Sequence, residues 1–169
     1  MHMIIGIDPG TTNLGIAVVG EEGNLKGQTL TTKVFNSKKY KDRVSAIFDI
    51  GMFCSDQAAT AGEQVKGVRI ERYVPYAGTF SSDAEGIVLL IGGLEHMFFS
   101  RFSETPLLLR AIEWKPRLCK DLVLKKNFSN PSTKFDKKFS KAAATCITGR
   151  EFKTDHEADA VCLAYYDKI

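Results

Sequence analysis

The stretch Ile4-Ile5-Gly6-Ile7-Asp8-Pro9-Gly10-Thr11-Thr12 decides the fold. In an extended chain Ile5 and Ile7 share one face, while Gly6 and Asp8 share the other. Pro9-Gly10 ends that strand, and Leu14 to Val19 reads as a second. An apolar strand closing on a carboxylate at a Pro-Gly turn sets an acid at the rim of a sheet. Working outward, Glu21 to Asn24 reads as a hairpin turn, and Gly27 to Phe35 as a third strand with Leu30, Thr32 and Val34 alternating. Tyr40 to Ala61 carries Val44, Ile47, Phe48 and Gly51 at helical spacing. Gly67 to Glu71 is a short strand. Ser82 to Phe102 is a helix, with Ile87, Leu90, Ile91, Leu94, Met97 and Phe98 on its apolar stripe.

Pro106 to Ile112 has the continuous apolar run of a buried strand, broken by Arg110. Trp114 to Leu124 is a candidate helix start, and Asn127 to Asp136 is turn-rich around Ser129-Asn130-Pro131-Ser132. Ser140 to Thr148 reads as a helix, and Thr154 or Asp155 caps a last helix running to Asp167. The order β-β-β-α-β-α-β-α-α predicts an α/β fold, a mixed sheet flanked by helices, with residues 1–169 as a single domain.

Composition narrows the function classes. The chain has 169 residues, 44% of them hydrophobic, with 23 Lys plus Arg against 20 Asp plus Glu. That excludes disorder, and a two-lobed enzyme would need about twice the length. No apolar run approaches the roughly 20 residues of a bilayer span, and the N-terminus lacks a signal-type core, so the expected location is cytoplasmic. Cys54, Cys119, Cys146 and Cys162 form no Cys-x-x-Cys pair, which predicts free thiols rather than disulfides or a zinc site. Charge is uneven: Lys115 to Lys141 holds nine basic residues against Asp121 and Asp136. A second basic cluster surrounds Lys38, Lys39, Lys41 and Arg43. Such polarity suits a polyanion such as nucleic acid.

Three acids stand out. Glu71 ends Val68-Arg69-Ile70-Glu71 as Asp8 ends its own strand, on the face opposite the aliphatic row. On the closing helix His156 and Asp159 lie at i and i+3, on one side. Like charges about 4 Å apart repel by about 4 kcal/mol at an effective dielectric of about 20. A hard divalent cation removes that cost, and a set of oxygen ligands suits Mg²⁺ or Mn²⁺.

These segments together resemble the RuvC-type Holliday junction resolvases. The opening Ile4 to Thr12 is similar to theirs, Ile70-Glu71-Arg72 to their second acidic strand, and His156-Glu157-Ala158-Asp159-Ala160 to their closing helix. The resemblance implies a ribonuclease-H-like fold with a mixed five-stranded sheet. It also implies a homodimer and Mg²⁺-dependent paired nicking of four-way DNA junctions, with two ions per active site and Mn²⁺ able to substitute. On this likeness Asp8, Glu71 and Asp159 hold the metals, and His156 either binds metal with them or helps a proton leave the attacking water. Lys138 resembles the catalytic lysine, with Lys137 and Lys141 competing for that place, and Lys115 resembles a further active-site lysine. Lys115, Arg117, Lys134, Lys137 and Lys141 are the expected DNA contacts. Tyr73 or Tyr76, after Glu71, is the expected aromatic at the junction centre, with a structural role as the alternative.

The stretch between Lys115 and Lys138 is longer than the pattern usually has, which leaves the lysine assignment open. The long helix Ser82 to Phe102 is the expected dimer face. Two other readings compete: a non-catalytic branched-DNA-binding module of the same fold, and a fragment of an actin-like ATPase, whose first phosphate loop Gly6 to Asn13 also resembles.

Overall fold

The computed structural model describes residues 2–10, 12–20, 30–40, 42–74, 82–126 and 128–166. Five strands, β1 (His2–Asp8), β2 (Asn13–Gly20), β3 (Leu30–Asn36), β4 (Gln64–Glu71) and β5 (Leu107–Leu109), form one sheet in the order β3-β2-β1-β4-β5. β1 runs antiparallel to β2, and β2 to β3; β1 and β4 are parallel, as are β4 and β5. The helices are α1 (Arg43–Ala61), α2 (Ser82–Phe102), α3 (Ala111–Lys126), α4 (Lys137–Thr148) and α5 (Asp155–Tyr165). The expected mixed five-stranded sheet with flanking helices is what the chain forms. No helix among the described residues is long and apolar enough to cross a membrane.

The alternation in β1 sorts the two faces of the sheet. Ile5 and Ile7, with Ile16, Val68 and Ile70, are buried in a core that also holds Ile50 of α1 and Leu94 and Phe98 of α2. On the other face Ala17 and Val19 pack with Trp114, Leu118 and Phe139 and with the buried run Ala160 to Tyr165 of α5. α5 lies close on the strands because β1 and β2 present glycines, Gly6 and Gly15, where it approaches them. A Cβ at Gly6 would sit 2.1 Å from the Ala160 carbonyl oxygen, and one at Gly15 2.1 Å from that of His156. Any larger residue there would lift the helix off the sheet. Thr154 and Glu157 fix where α5 begins through a reciprocal capping box.

Element boundaries depart from the sequence reading for local reasons. β4 begins at Gln64, not Gly67: the pairing shifts between Met3 and Ile4, so Lys66 is an extra residue in the strand. β5 is only three residues long because α3 starts at Ala111, where the Glu113 carboxylate accepts from the Arg110 N–H at 3.2 Å. α3 continues through Pro116, at the loss of one backbone hydrogen bond, because Trp114, Leu118 and Leu122 bury one continuous stripe. α4 starts at Lys137, three residues before Ser140, because Asp136 caps it by accepting from the N–H groups of Lys138 and Phe139. Three helices therefore close the chain, one more than the order expected from the sequence. The hairpin turn at 21–24 and the strand start at 27 lie outside the described residues.

Candidate active site

Asp8 and Glu71 end neighbouring parallel strands. Ile7 pairs with Ile70, so the two carboxylates follow one step later, side by side on the sheet's rim. The close seating of α5 on Gly6 and Gly15 carries His156 and Asp159 to the same rim. His156 Nδ1 lies 2.7 Å from Asp8 Oδ2. α3 supplies a cation: Lys115 Nζ is 3.1 Å from Asp159 Oδ1, and the lysine is only 9% exposed. Asp159 also accepts from the hydroxyl of Ser140, a fully buried residue of α4. Glu71 Oε2 accepts from the indole N–H of Trp114 at 3.0 Å. Five elements thus meet in one cluster of three acids, an imidazole, an ammonium and a serine hydroxyl.

Burial first, and the neighbouring charges after it, set the electrostatics of the cluster. Burial, then the charge of Asp8, pushes the Glu71 carboxyl up to about 7, with Asp159 adding to the rise and Lys115 and Trp114 opposing it. Burial also raises Asp159, although the Lys115 charge works against the shift. Burial disfavours the Lys115 ammonium, yet Asp159, Glu71 and Asp8 together outweigh it and hold the lysine above its usual range. The hydrogen bond to Asp8 raises His156 against the effect of its burial. The two carboxyls thus rise chiefly through burial, and the lysine and imidazole rise through the acids beside them.

A divalent cation fits this set by charge and donor type. Carboxylate oxygens of Asp8, Glu71 and Asp159, with one imidazole, are ligands for Mg²⁺ or Mn²⁺. Among the described residues, no three such side chains already stand close enough together to hold an ion. Asp159 is engaged by Lys115 and Ser140, Asp8 by His156, and Glu71 by Trp114. Holding a metal would mean that some of these contacts open.

The structure separates the basic residues into two groups. Lys115, not Lys138, is the lysine that the fold brings to the carboxylates. Lys138 is exposed in the first turn of α4, its backbone N–H on Asp136. Lys137 pairs with Asp155 at 2.8 Å while remaining largely in solvent. Lys134 is exposed in the preceding loop, and Lys141 Nζ donates to the Lys153 carbonyl at 2.8 Å. Arg117 is exposed; it donates to the Tyr166 hydroxyl at 3.0 Å and lies over that ring. Tyr73 packs against the core beneath α1 and α2, and Tyr76 lies outside the described residues. Cys54 and Cys162 are buried free thiols, whereas Cys119 and Cys146 are partly exposed.

Sequence reasoning passed over Trp114 and Ser140. The Trp114-Leu118-Leu122 spacing marks a buried helix face, and a buried indole N–H needs an acceptor, so that signal was present for Trp114. Ser140 carried none.

No protein-family model matches the sequence, and no curated protein matches it. Solved structures do. Thermus thermophilus RuvC, in complex with a Holliday junction substrate, matches over 97% of this chain and 90% of that one, with a TM-score of 0.62 and 17% identity. The yeast mitochondrial Holliday junction resolvase Ydc2 matches over 95% of this chain and 75% of that one, with a TM-score of 0.53 and 16% identity. At that identity the likeness is one of architecture: the chain has the ribonuclease-H-like α/β fold found in the RuvC-type Holliday junction resolvases.

Proposed function

We propose that the chain is a metal-dependent endonuclease that resolves four-way DNA junctions by paired, symmetric nicks. The observation that carries this reading is the meeting of Asp8, Glu71 and Asp159, from β1, β4 and α5, beside buried Lys115. A protein that only bound DNA would gain nothing from buried acids set against phosphates. The proposed cofactor is Mg²⁺, or Mn²⁺ in its place, as two ions held by Asp8, Glu71, His156 and Asp159. Bound there, such ions supply an activated water and charge stabilisation at the leaving 3′ oxygen.

The chain's own residues do the rest. Lys115 is placed to offset the charge that develops on the attacked phosphate. His156, anchored through Nδ1 on Asp8, has one ring nitrogen left, Nε2, which would serve either as a ligand to an ion or as the acceptor of a proton from the attacking water, not both. Lys134, Lys137 and Lys138, all exposed around the start of α4, hold the duplex arms by their phosphates.

Paired nicks need two sites, and a homodimer supplies them with the symmetry of the junction. α1 leaves Val44 and Phe48 exposed, and α2 leaves Val88, Leu89 and Phe99, although both helices bury their opposite faces. A second copy covering these residues is the proposed dimer. The test is cleavage of synthetic four-way, three-way and linear DNA with and without Mg²⁺. Mg²⁺-dependent nicking confined to branched substrates supports the reading. Tight junction binding with no nicking in any metal would favour a non-catalytic junction-binding module instead.

A further inference from the structure

Trp114 is the only tryptophan of the chain and is fully buried in α3. Its indole does not end in apolar surroundings. The Nε1–H reaches Glu71 Oε2 at 3.0 Å, spanning from α3 to the last residue of β4. An indole N–H can only donate, so it selects a carboxylate oxygen with a free lone pair and opposes protonation of that oxygen. The next residue, Lys115, sets Nζ 3.1 Å from Asp159 and 5.0 Å from the centre of the Trp114 ring. Consecutive residues of α3 therefore engage two of the three carboxylates. A tryptophan that served only as core filler could satisfy its N–H on any backbone carbonyl; this one uses the acid that closes β4.

We propose that Trp114 is a positioning residue of the active site: it holds Glu71 by Oε2 and so leaves Oε1 to face the divalent ion and the phosphate. The inference rests on the nuclease reading and deepens it. Loss of a hydrogen-bonding partner behind a ligand commonly weakens metal affinity or activity by about 10–100-fold.

Two measurements test it. In the first, the wild-type protein is titrated with Mg²⁺ without DNA while tryptophan emission is recorded. With one tryptophan in the chain, every change belongs to residue 114. The expected result is a saturable change that Glu71→Gln abolishes. In the second, Trp114→Phe keeps an aromatic ring and removes the donor. The Mg²⁺ concentration that raises its melting temperature should increase by about 10–100-fold, and nicking should fall in kcat with little change in KM for the junction.

A Trp114→Phe protein with the wild-type Mg²⁺ midpoint and the wild-type kcat would overturn the proposal. If that variant does not fold, the fluorescence decides: emission that is silent at Mg²⁺ concentrations supporting nicking overturns it, and a Glu71-dependent change sustains it. A wild-type protein that nicks no DNA yet shows the Glu71-dependent change would sink the nuclease reading and leave the positioning intact. Wild-type nicking matched by Trp114→Phe would do the reverse.

Discussion

Glu71→Gln should stabilise the metal-free protein at alkaline pH and leave it nearly unchanged in acid. Glu71 has its carboxyl moved from 4.5 to about 7 by burial first, then by Asp8, with Asp159 adding. At about 1.4 kcal/mol per unit, ionising it in the folded state costs about 3 kcal/mol. The folded pKa lies above the unfolded one, so between them the folded state binds more protons. Stability therefore falls as pH rises through that window and levels off above it. His156, also raised, contributes stability that is lost as pH rises, but both proteins carry it and it cancels in their difference. Glutamine does not titrate and keeps an oxygen for the Trp114 N–H. For a chain of this size about 3 kcal/mol is roughly 6–12 °C in melting temperature. Thermal unfolding in EDTA at about pH 5 and about pH 8 reads this directly. The variant's advantage should appear only at the higher pH, and Mg²⁺ at that pH should raise wild type and not Glu71→Gln. Melting curves that shift in parallel for both proteins would refute the claim of a carboxylate short of positive charge.

Neutralising Lys134, Lys137 and Lys138 together should flatten the salt dependence of junction binding, by about 0.9 in log–log slope for each phosphate no longer neutralised; an unchanged slope would make that segment a solvated surface. His156→Asp should keep nicking, while His156→Ala should lose about 100-fold or more, the usual worth of a placed proton carrier; single-turnover rates separate the two. Leu89→Glu together with Phe48→Glu should yield a folded monomer by analytical ultracentrifugation, and persistence of the wild-type oligomer would put the dimer face elsewhere.

Alternation made the sheet side of the site readable. Ile5 and Ile7 fixed the direction of Asp8, Ile70 that of Glu71, and the Thr154 cap with Glu157 three residues on fixed the start of α5. What alternation does not convey is how closely a helix lies on its sheet. Gly6 and Gly15 read as weak strand residues, yet their missing side chains let α5 bring His156 to Asp8. The choice between Lys115 and Lys138 depends on the docking of α3, which follows from where Trp114 is buried and not from distance along the chain. The start of α4 is hidden in the sequence because Lys137 and Lys138 in a first turn oppose the helix dipole, so only the Asp136 cap signals it. Ser140 was illegible because its partner Asp159 lies on a different helix.

Whether the Asp8-centred cluster cuts DNA through bound metal is read by comparing wild type with Asp8→Asn on one four-way junction in Mg²⁺. The two proteins are purified in parallel, and both nicking rate and junction affinity are recorded. The expected result is paired nicks by the wild type, no detectable nicking by Asp8→Asn, and junction affinity in the variant that is equal or tighter, because a negative charge facing the phosphates is gone. Nicking by Asp8→Asn at the wild-type rate, or a wild type that binds the junction and never cuts it, would show that Asp8 does not serve metal-dependent cleavage.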